Sequence, residues 1–347
     1  MKRHLLFLAA LLIVNLAASA QKKFSVYAVG FYNQENLFDT CHDEGKKDYE
    51  YLPNKGWNGM KYTNKLRNMS KALADMGTDV LPNVGCAFIG LSEVENHKVL
   101  DALVDQAPLK ARNMKYVHIE GPDRRGIDCA LLYNPSLFSV KNVKLLPYMQ
   151  ELAKDSAFFT RGFLTVRGEM AGDDVAVIVC HWPSRFSGPF YRESAARQVK
   201  VIKDSLLNVN QEMKIFVMGD MNDDPVNKSM HVYLQAKPEI SQVGAGDMYN
   251  PWYNVLAKEG KGTLFYSGNW NLFDQIVITP NLLNKDAKKK DYSSLKYWKS
   301  HIFRRDYLIQ QEGQYKGAPL RTTAGGRWLN GYSDHLPVVM YLVKEKK

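Results

Sequence analysis

Six segments of this sequence join a short apolar, strand-like run to acidic, amide or histidine side chains. They are FYNQENLFD (31–39), FIGLSEVEN (88–96), VIVCHWPSR (177–185), IFVMGDMNDDP (215–225), NLFDQIVI (271–278) and GYSDHLPVVM (331–340). Strand ends of one sheet can bring residues that are far apart in sequence to one edge. Asn, Glu, Asp and His that converge there suit a hard divalent cation and proton transfer at a phosphate ester.

Short runs rich in Val, Ile, Leu and Phe predict the strands that must position these side chains. The predicted strands cover 24–32, 86–92, 127–133, 162–169, 174–181, 214–219, 273–279 and 337–343. The predicted helices cover 58–77, 97–106 and 190–208. A doubly wound parallel sheet needs a helix after nearly every strand. The few helices therefore favour two sheets packed face to face, with helices on the outside.

The two longer helices are predicted to bury one apolar stripe each. Their stripes are Leu66, Met69, Leu73 and Met76 in the first helix, and Ala195, Val199, Ile202 and Leu206 in the second. Lys65 in the first helix, and Arg192 and Lys203 in the second, are predicted to lie outside these stripes. The stretch 281–330 is rich in Lys, Arg, Tyr and Trp, then in Gly, and has no clean periodicity. It is predicted to be a long surface excursion that returns to the final strand.

The first twenty residues read as a secretory leader. A basic start precedes a short apolar run and the small-residue ending Ala18-Ser19-Ala20, which predicts cleavage before Gln21. The protein is therefore expected to be periplasmic or secreted. No later segment is long and apolar enough to cross a bilayer, so no stable membrane insertion is expected.

Charge and cysteine content narrow the classes of partner and site. The formal net charge is +10, and removal of Lys2 and Arg3 with the leader lowers it to +8, which suits a polyanionic substrate. The four cysteines show no C-x-x-C spacing, so a structural zinc site is disfavoured. Cys86, Cys129 and Cys180 lie in apolar runs, and buried free thiols are favoured for them.

Taken in order, the motifs resemble those of the endonuclease/exonuclease/phosphatase superfamily. The sequences GDMND and SDHLPV follow an early N-x-E and an L-S-E, and the similarity covers about residues 24 to 343. The resemblance implies an α+β fold, a four-layer α/β/β/α sandwich of two mixed β-sheets flanked by helices, as in deoxyribonuclease I. It implies one catalytic domain over 21–347, with the site at one edge of the sheets.

The resemblance also implies a metal site. Glu93 matches the principal metal-ligand glutamate of the family, Asn33 its N-terminal asparagine, and Asp334 the acid near the metal. Glu35 stands where many members have a metal-binding Asp, and its side chain is one methylene longer. Asn36 is a rival amide in the same segment. The implied cofactor is Mg²⁺, with Mn²⁺ as an alternative, since one or two carboxylates and the substrate phosphate suffice for magnesium.

The implied catalytic residues are His181, Asp220, Asn222, Asp274 and His335. By resemblance, Asp220 orients or deprotonates the attacking water and Asn222 holds a phosphoryl oxygen or that water. Asp274 fixes the tautomer of His335, and His181 donates to the developing charge at phosphorus. Either Asp220 or His335 can serve as the general base.

Arginine and asparagine side chains supply candidate substrate contacts. Arg124, Arg125 and Arg185 are candidate phosphate clamps because a guanidinium fork matches phosphate oxygens. A solvated turn is the alternative for all three. Asn269 precedes the Asp274 segment and is expected to line the mouth of the site.

These inferences predict a metal-dependent phosphodiesterase, expected to be a monomeric nuclease that acts on nucleic acid by metal-assisted in-line attack of water. Two alternatives stay open. One is a phosphoesterase that acts on inositol phosphates or phospholipid headgroups. The other is a catalytically inactive member that serves as a binding module.

Overall fold

The computed structural model describes residues 23–149, 160–286 and 288–346. The leader predicted over 1–20 therefore lies outside the described residues. Among the residues that are described, none of the helices combines the length and the apolar composition of a membrane span.

Most of the chain between these limits is strand. The strands are β1 (Phe24–Leu37), β2 (Cys86–Val94), β3 (Lys115–His118), β4 (Asp128–Tyr133), β5 (Phe138–Leu146), β6 (Phe163–Met170), β7 (Asp173–His181), β8 (Lys214–Asp220), β9 (Ala236–Lys237), β10 (Met248–Tyr249), β11 (Leu264–Tyr266), β12 (Asn269–Asn271), β13 (Asp274–Ile278), β14 (Lys296–Ile302), β15 (Thr323–Ala324), β16 (Arg327–Trp328) and β17 (Val338–Glu345). The α-helices are α1 (Gly59–Asp75), α2 (His97–Val104), α3 (Ala107–Lys110), α4 (Pro189–Val209) and α5 (Trp252–Glu259).

Two mixed sheets contain most of these strands. The six-stranded sheet has the order β14-β17-β1-β2-β4-β3, and the seven-stranded sheet has the order β5-β6-β7-β8-β13-β10-β9. Each sheet has one central parallel pair, β1 with β2 and β7 with β8, among mainly antiparallel neighbours. Two small hairpins, β11-β12 and β15-β16, stand apart from the sheets.

Three layers of apolar side chains hold the sheets and helices together. Between the sheets, Phe31 and Phe88 of the six-stranded sheet pack in one cluster with Val177 and Phe216 of the seven-stranded sheet. A second cluster joins the outer face of the six-stranded sheet to α1, α2 and α3, and a third joins the outer face of the other sheet to α4. The result is the predicted four-layer α/β/β/α sandwich, which positions the parallel strand ends of both sheets at one edge.

The predicted strands and helices are all present, and the main error concerns the stretch 281–330. That stretch was expected to be a surface excursion, but β14 within it pairs with β17 at the edge of the six-stranded sheet. The pairing register shifts between Tyr297 and Lys299, so a bulge interrupts the alternation that reveals a strand in sequence. An edge strand with one exposed face also carries the polar residues that suggested a loop.

The prediction that three basic side chains lie outside the buried helix faces was also wrong. Lys65, Arg192 and Lys203 are all buried, although each was placed outside an apolar stripe. Buried partners explain them: Lys65 donates to the Thr322 hydroxyl, Arg192 lies 2.8 Å from Asp223, and Lys203 donates to the Gly246 carbonyl. A periodicity argument sees residue polarity but no tertiary partner. The cysteine prediction holds, because all four thiols are free and Cys86, Cys129 and Cys180 are buried.

Candidate active site

The ends of the central strands bring eight of the predicted residues to one edge of the sandwich. The six-stranded sheet contributes Asn33 and Glu35 from β1, Glu93 from β2, and Asp334 with His335 just before β17; the seven-stranded sheet contributes His181 from β7, Asp220 from β8 and Asp274 from β13. Asn222 follows β8 by two residues. In the seven-stranded sheet, Asp220 is the register partner of both His181 and Asp274.

The backbone is irregular where the six-stranded sheet supplies its carboxylates. The β1–β2 register shifts between Asn33 and Leu37, and the β2–β4 register shifts between Ser92 and Val94. Glu35 has φ +46° and Glu93 has φ +60°, in the left-handed region that side chains other than glycine rarely adopt. Bulges re-aim side chains, and here they direct two glutamates toward the same edge.

His335 and Asp274 form the predicted pair. The His335 Nδ1 lies 2.6 Å from Asp274 Oδ2, and both side chains are buried. Burial disfavours the imidazolium, but Asp274, Asp220 and Asp334 outweigh it and raise the pKa of His335 well above its ordinary value. The ring is therefore a cation that donates to Asp274 and can present its other N–H to the site.

Asp220 lies between the two histidines. Its Oδ2 is 3.6 Å from His181 Nε2 and 3.8 Å from His335 Nε2. The Asn33 amide donates to the same oxygen at 3.0 Å, and the Asn222 backbone N–H donates to Oδ1 at 2.9 Å. Burial raises the pKa of Asp220 to about 6 against the opposing effect of His335, so this carboxylate is ionised and weakly basic at neutral pH.

The residue before Asp220 has to be glycine. A Cβ at Gly219 would lie 2.2 Å from the Cys180 carbonyl oxygen of the adjacent parallel strand. The close approach of β7 and β8 at this point places His181 directly beside Asp220. The glycine of the G-D pair is thus a packing requirement of the site.

His181 has the opposite electrostatic character from His335. Burial lowers the pKa of His181 well below its ordinary value, and Arg161, Arg125 and His335 lower it further. Its Nε2 is 3.8 Å from Glu93 Oε1. His181 is therefore the neutral imidazole of the site and can donate one hydrogen bond. His335 is the imidazolium and supplies positive charge.

Three further carboxylates, Glu35, Glu93 and Asp334, each use one oxygen for a hydrogen bond with the protein. Glu35 Oε2 accepts from Thr322 N–H at 2.6 Å and Glu93 Oε2 accepts from Asn36 N–H at 2.9 Å. Asp334 Oδ2 accepts from Arg321 at 3.0 Å. Burial, followed by repulsion from Asp334, raises the pKa of Glu35 to about 7; burial raises the pKa of Glu93, and Asp334 and Asp220 add to this against Arg125 and His335.

This donor set fits a hard divalent cation. Carboxylate oxygens are the preferred ligands of Mg²⁺ and Mn²⁺. Burial, and after it repulsion from neighbouring acids, raises the pKa values of Glu35 and Glu93, and a bound cation offsets both effects. Among the described residues, Asp220, Asp274 and His335 form the group whose ligand atoms all lie within 4.8 Å of one another. In this group, His335 Nδ1 and Asp274 Oδ2 are already bonded to each other, which leaves fewer of its atoms free for an ion. The Asn33 side-chain oxygen Oδ1 accepts from Glu35 N–H, and the Asn33 side-chain Nδ2 donates to Asp220 Oδ2. Asn33 therefore lies between the two groups.

A cavity of about 370 Å³ lies over the cluster. Its lining includes Glu93, His181, Asp220, Asn222, Asp334 and His335, together with Asp123, Arg125, Thr160 and Arg161. Sequence reasoning missed Arg161, which is nearly buried and donates to Asp123 at 3.0 Å and to the Trp182 carbonyl at 3.0 Å. No motif singles it out, since an isolated Arg before a strand is common.

The other predicted substrate contacts are distributed unevenly. Arg125 lines the cavity, whereas Arg124, Arg185 and Asn269 do not. The Arg185 guanidinium donates to the Asn222 carbonyl, Asn271, Asp224 and Asn227, and it stacks 4.5 Å above the Phe273 ring. These hydrogen bonds hold the loop after β8, so the Arg185 donors are already occupied by protein acceptors. The Asn269 amide donates to the Ser267 carbonyl in the β11–β12 hairpin.

Two further cations next to the carboxylates were missed as site residues. Lys65 is fully buried and donates to Thr322 Oγ1 at 2.5 Å and to the Tyr332 carbonyl at 2.6 Å. Arg321 lies 3.0 Å from Asp334 and 3.7 Å from Glu35. Neither belongs to a motif, and their partners are distant in sequence, so only the folded chain reveals them.

Solved structures of other proteins share this fold. The structure of D. rerio TDP2 complexed with a single-strand DNA product has a TM-score of 0.53 at 11% identity, with 92% of this chain and 99% of that chain covered. Mannosyl-6-phosphatase Bt3783 of Bacteroides thetaiotaomicron VPI-5482 has a TM-score of 0.54 at 14% identity, with 91% and 99% covered. At these identities the likeness shows the fold alone. A search of the curated proteins gives no match.

An endonuclease/exonuclease/phosphatase family protein from Bacteroides thetaiotaomicron has a TM-score of 0.54 at 14% identity, with 93% of this chain and 97% of that chain covered. The family model described as endonuclease/exonuclease/phosphatase family matches residues 28–344, which is most of the chain and includes every residue of the cluster. The chain therefore belongs to the endonuclease/exonuclease/phosphatase family.

Proposed function

We propose that this protein is a metal-dependent phosphodiesterase, a nuclease that hydrolyses phosphodiester bonds of nucleic acid. One observation carries the proposal: Glu93, Asp334, His181, Asp220 and His335 line one cavity, and Asp274 pairs with His335. Membership of the family adds hydrolysis of phosphate esters as the reaction class. The net charge of +10 and the exposed Arg125 at the cavity rim favour a polyanionic substrate.

Glu35, Glu93 and Asp334 would hold the cation, and Mg²⁺ is the expected ion. When bound, the cation supplies charge stabilisation at the phosphoryl and leaving oxygens. Asp220, with its pKa near 6, accepts a proton from the attacking water, and the amides of Asn33 and Asn222 keep its oxygens oriented. His335, with its raised pKa, donates a hydrogen bond to the phosphoryl group while Asp274 stabilises its charge.

The test is hydrolysis by the chain from Gln21 of plasmid DNA, RNA, a phosphoinositide and sphingomyelin, each with Mg²⁺ and with EDTA. Cleavage of nucleic acid that EDTA and His335→Ala both abolish is the expected result. Turnover of the lipids alone would replace the substrate class but keep the mechanism. Binding of a nucleic acid without turnover of any substrate would contradict the enzyme and support an inactive binding module.

A second candidate function is hydrolysis of a phosphomonoester on a small uncharged molecule, as the inositol phosphate alternative implies. A groove of about 650 Å³ adjoins the cavity at Asp334, and Phe265, Tyr266, Tyr315, Gln310 and Gln314 are among the residues that line it. Among the described residues that line it, the charged ones are Arg321 and Asp334, which pair with each other. Amide and aromatic side chains suit a neutral polyol or sugar ring better than a run of phosphates.

A direct comparison separates the two functions. Rates are measured on a hexose 6-phosphate, an inositol phosphate and a DNA oligonucleotide under identical Mg²⁺ conditions. A nuclease prefers the oligonucleotide by orders of magnitude and releases no inorganic phosphate from internal bonds. Preference for a monoester, with phosphate release, would establish the second function instead.

We also propose that the protein is exported, from the leader pattern over 1–20. Cell fractionation followed by N-terminal sequencing tests this. A mature protein that begins at Gln21 outside the cytoplasm is expected, and an intact Met1 in the cytoplasm would contradict it.

A further inference from the structure

The Arg321 guanidinium contacts two of the carboxylates that are proposed to bind the metal ion. Its Nη2 lies 3.0 Å from Asp334 Oδ2, and its Nε lies 3.7 Å from Glu35 Oε1. Both carboxylates belong to the set that would hold the divalent ion. Since a guanidinium and a metal ion are both positive, they compete for the same oxygens.

The contacts of the Arg321 side chain are incomplete. Its Nε is buried and has no hydrogen-bond partner among the described residues, because the Glu35 oxygen is too distant. A buried donor without an acceptor costs free energy. The 38% exposure of the side chain leaves it a path to solvent. This arrangement holds the guanidinium less firmly than the four acceptors around Arg185 hold theirs.

In contrast to its side chain, the backbone around Arg321 is held by several contacts. Thr322 N–H donates to Glu35 Oε2, and Tyr332 N–H donates to the Leu320 carbonyl at 2.7 Å. A Cβ at Gly331 would lie 2.2 Å from the Arg321 carbonyl oxygen, so the two segments touch directly. Movement at this position therefore belongs to the side chain.

Arg321 also lies where two cavities meet. It lines the 650 Å³ groove, and its partner Asp334 lines both that groove and the 370 Å³ catalytic cavity. A guanidinium that leaves Asp334 can reach an anion held at this boundary without any change of fold. Its planar fork suits the non-bridging oxygens of a phosphate.

We propose that Arg321 is a built-in counter-cation that a divalent metal ion displaces and that then binds the substrate phosphate. Without metal it neutralises Asp334 and Glu35. With metal bound, those oxygens turn to the ion, and the released guanidinium faces the phosphate at the cavity boundary. The phosphate step rests on the proposed function, whereas the exchange with metal stands on the geometry of the carboxylates.

Metal affinity tests the exchange directly. Titration calorimetry with Mn²⁺ alone compares the wild type with Arg321→Gln, Arg321→Lys and Arg304→Gln. Arg304 is the matched control, because it donates to the Gly317 carbonyl and contacts the same segment away from the carboxylates. Arg321→Gln is expected to bind Mn²⁺ about tenfold more tightly, since coupling between competing ligands of this kind is typically 5- to 150-fold. Arg304→Gln and Arg321→Lys are expected to stay near the wild type.

Phosphate affinity tests the second step. With Mn²⁺ saturating, Arg321→Gln is expected to bind inorganic phosphate about tenfold more weakly than the wild type, while Arg304→Gln is unchanged. Circular dichroism and thermal melting establish that each variant is folded. The opposite signs of the two effects separate the exchange from a structural defect, which would weaken both affinities.

Unchanged or weaker Mn²⁺ binding by a folded Arg321→Gln would overturn the exchange. Tighter Mn²⁺ binding with unchanged phosphate binding would overturn the second step. Tighter Mn²⁺ binding in a protein that hydrolyses no phosphate ester would retain the exchange and refute the proposed function, so the two failures are distinguishable.

Discussion

The carboxylate side and the proton-transfer side of the site are built in different ways. On the carboxylate side, Glu35 and Glu93 come from bulged strand ends with left-handed backbone, and burial together with neighbouring acids raises their pKa values. On the proton-transfer side, His181, Asp220 and Asp274 stand in uninterrupted register on three adjacent strands. His181 and Asp220 lie 3.6 Å apart, and Asp274 pairs with His335 at 2.6 Å.

This difference separates two physical problems. Proton transfer needs fixed geometry, which a regular sheet supplies without ligands. A cation site needs several like charges close together, and that arrangement is unfavourable until the cation arrives. The positive charges of Lys65 and Arg321 offset part of this repulsion at Glu35, and Arg321 also pairs with Asp334. The carboxylate side is therefore expected to respond to metal and pH, and the proton-transfer side to direct substitution.

The largest expected effect is loss of rate on substitution in the proton-transfer side. His335→Ala removes the imidazolium beside Asp220 and should lower kcat by roughly 10³–10⁴-fold, near the upper range for one acid–base group. The Mg²⁺-induced rise in melting temperature should persist, because the carboxylates are intact. Single-turnover kinetics and melting curves measure both. Loss of the Mg²⁺ response in this variant would show that the two sides are not separable.

Substitution in the carboxylate side should give the complementary result. Glu93→Gln keeps the contact with Asn36 N–H but removes a charge, and it should weaken Mg²⁺ affinity on the order of 100-fold. Activity should recover at high Mg²⁺, which distinguishes the variant from His335→Ala. Activity as a function of Mg²⁺ concentration is the measurement. A loss of activity that no Mg²⁺ concentration restores would contradict this role.

The pH dependence of stability sharpens the contrast. In the folded metal-free protein Glu35 keeps its proton until about pH 7, whereas the unfolded chain releases it near the ordinary value of 4.5. The folded state thus binds more protons between these values, so stability falls as the pH rises through this window. Glu35→Gln has no carboxyl group to ionise, so it removes this pH-dependent loss of stability. In EDTA the variant should melt about 5 °C above the wild type at pH 8 and close to it at pH 4.

The exposed Glu212 provides a control for that measurement, since Glu212→Gln should leave the melting temperature unchanged at both pH values. Mg²⁺ should narrow the difference at pH 8 because it stabilises the ionised wild type. A Glu35→Gln variant that melts below the wild type in EDTA at pH 8 would contradict the raised pKa of Glu35.

The smallest expected effects distinguish two arginines near the site. Arg185→Gln should cost about 1–2 kcal/mol of stability, because its guanidinium holds the loop after β8, and should change KM by less than about threefold. Arg125→Gln should leave stability unchanged and raise KM several-fold, because Arg125 lines the cavity at the surface. Chemical denaturation and steady-state kinetics give both quantities. A large KM effect from Arg185→Gln would restore it as a phosphate clamp.

Much of the fold and most of the cluster could be predicted from the sequence. Apolar runs with polar ends predict strands directly, and the resemblance of GDMND and SDHLPV to the motifs of the family associates their residues with one edge. The strand β14 was missed because its bulge breaks the period of two. Arg185 was expected at the substrate because it follows His181 closely, but four acceptors from other segments hold it elsewhere.

The sequence by itself determined which residue types lie at the strand ends, since local hydrophobic pattern and motif order require no knowledge of partners. Only the tertiary structure decided the charge state and environment of each one. Burial lowers the pKa of both His181 and His335, but Arg161 and Arg125 add to this effect at His181, whereas three aspartates outweigh it at His335. The burial of Lys65 and the position of Arg321 against Asp334 likewise depend on contacts between segments far apart in the chain. Such long-range electrostatic contacts leave no local pattern, so folding alone reveals them.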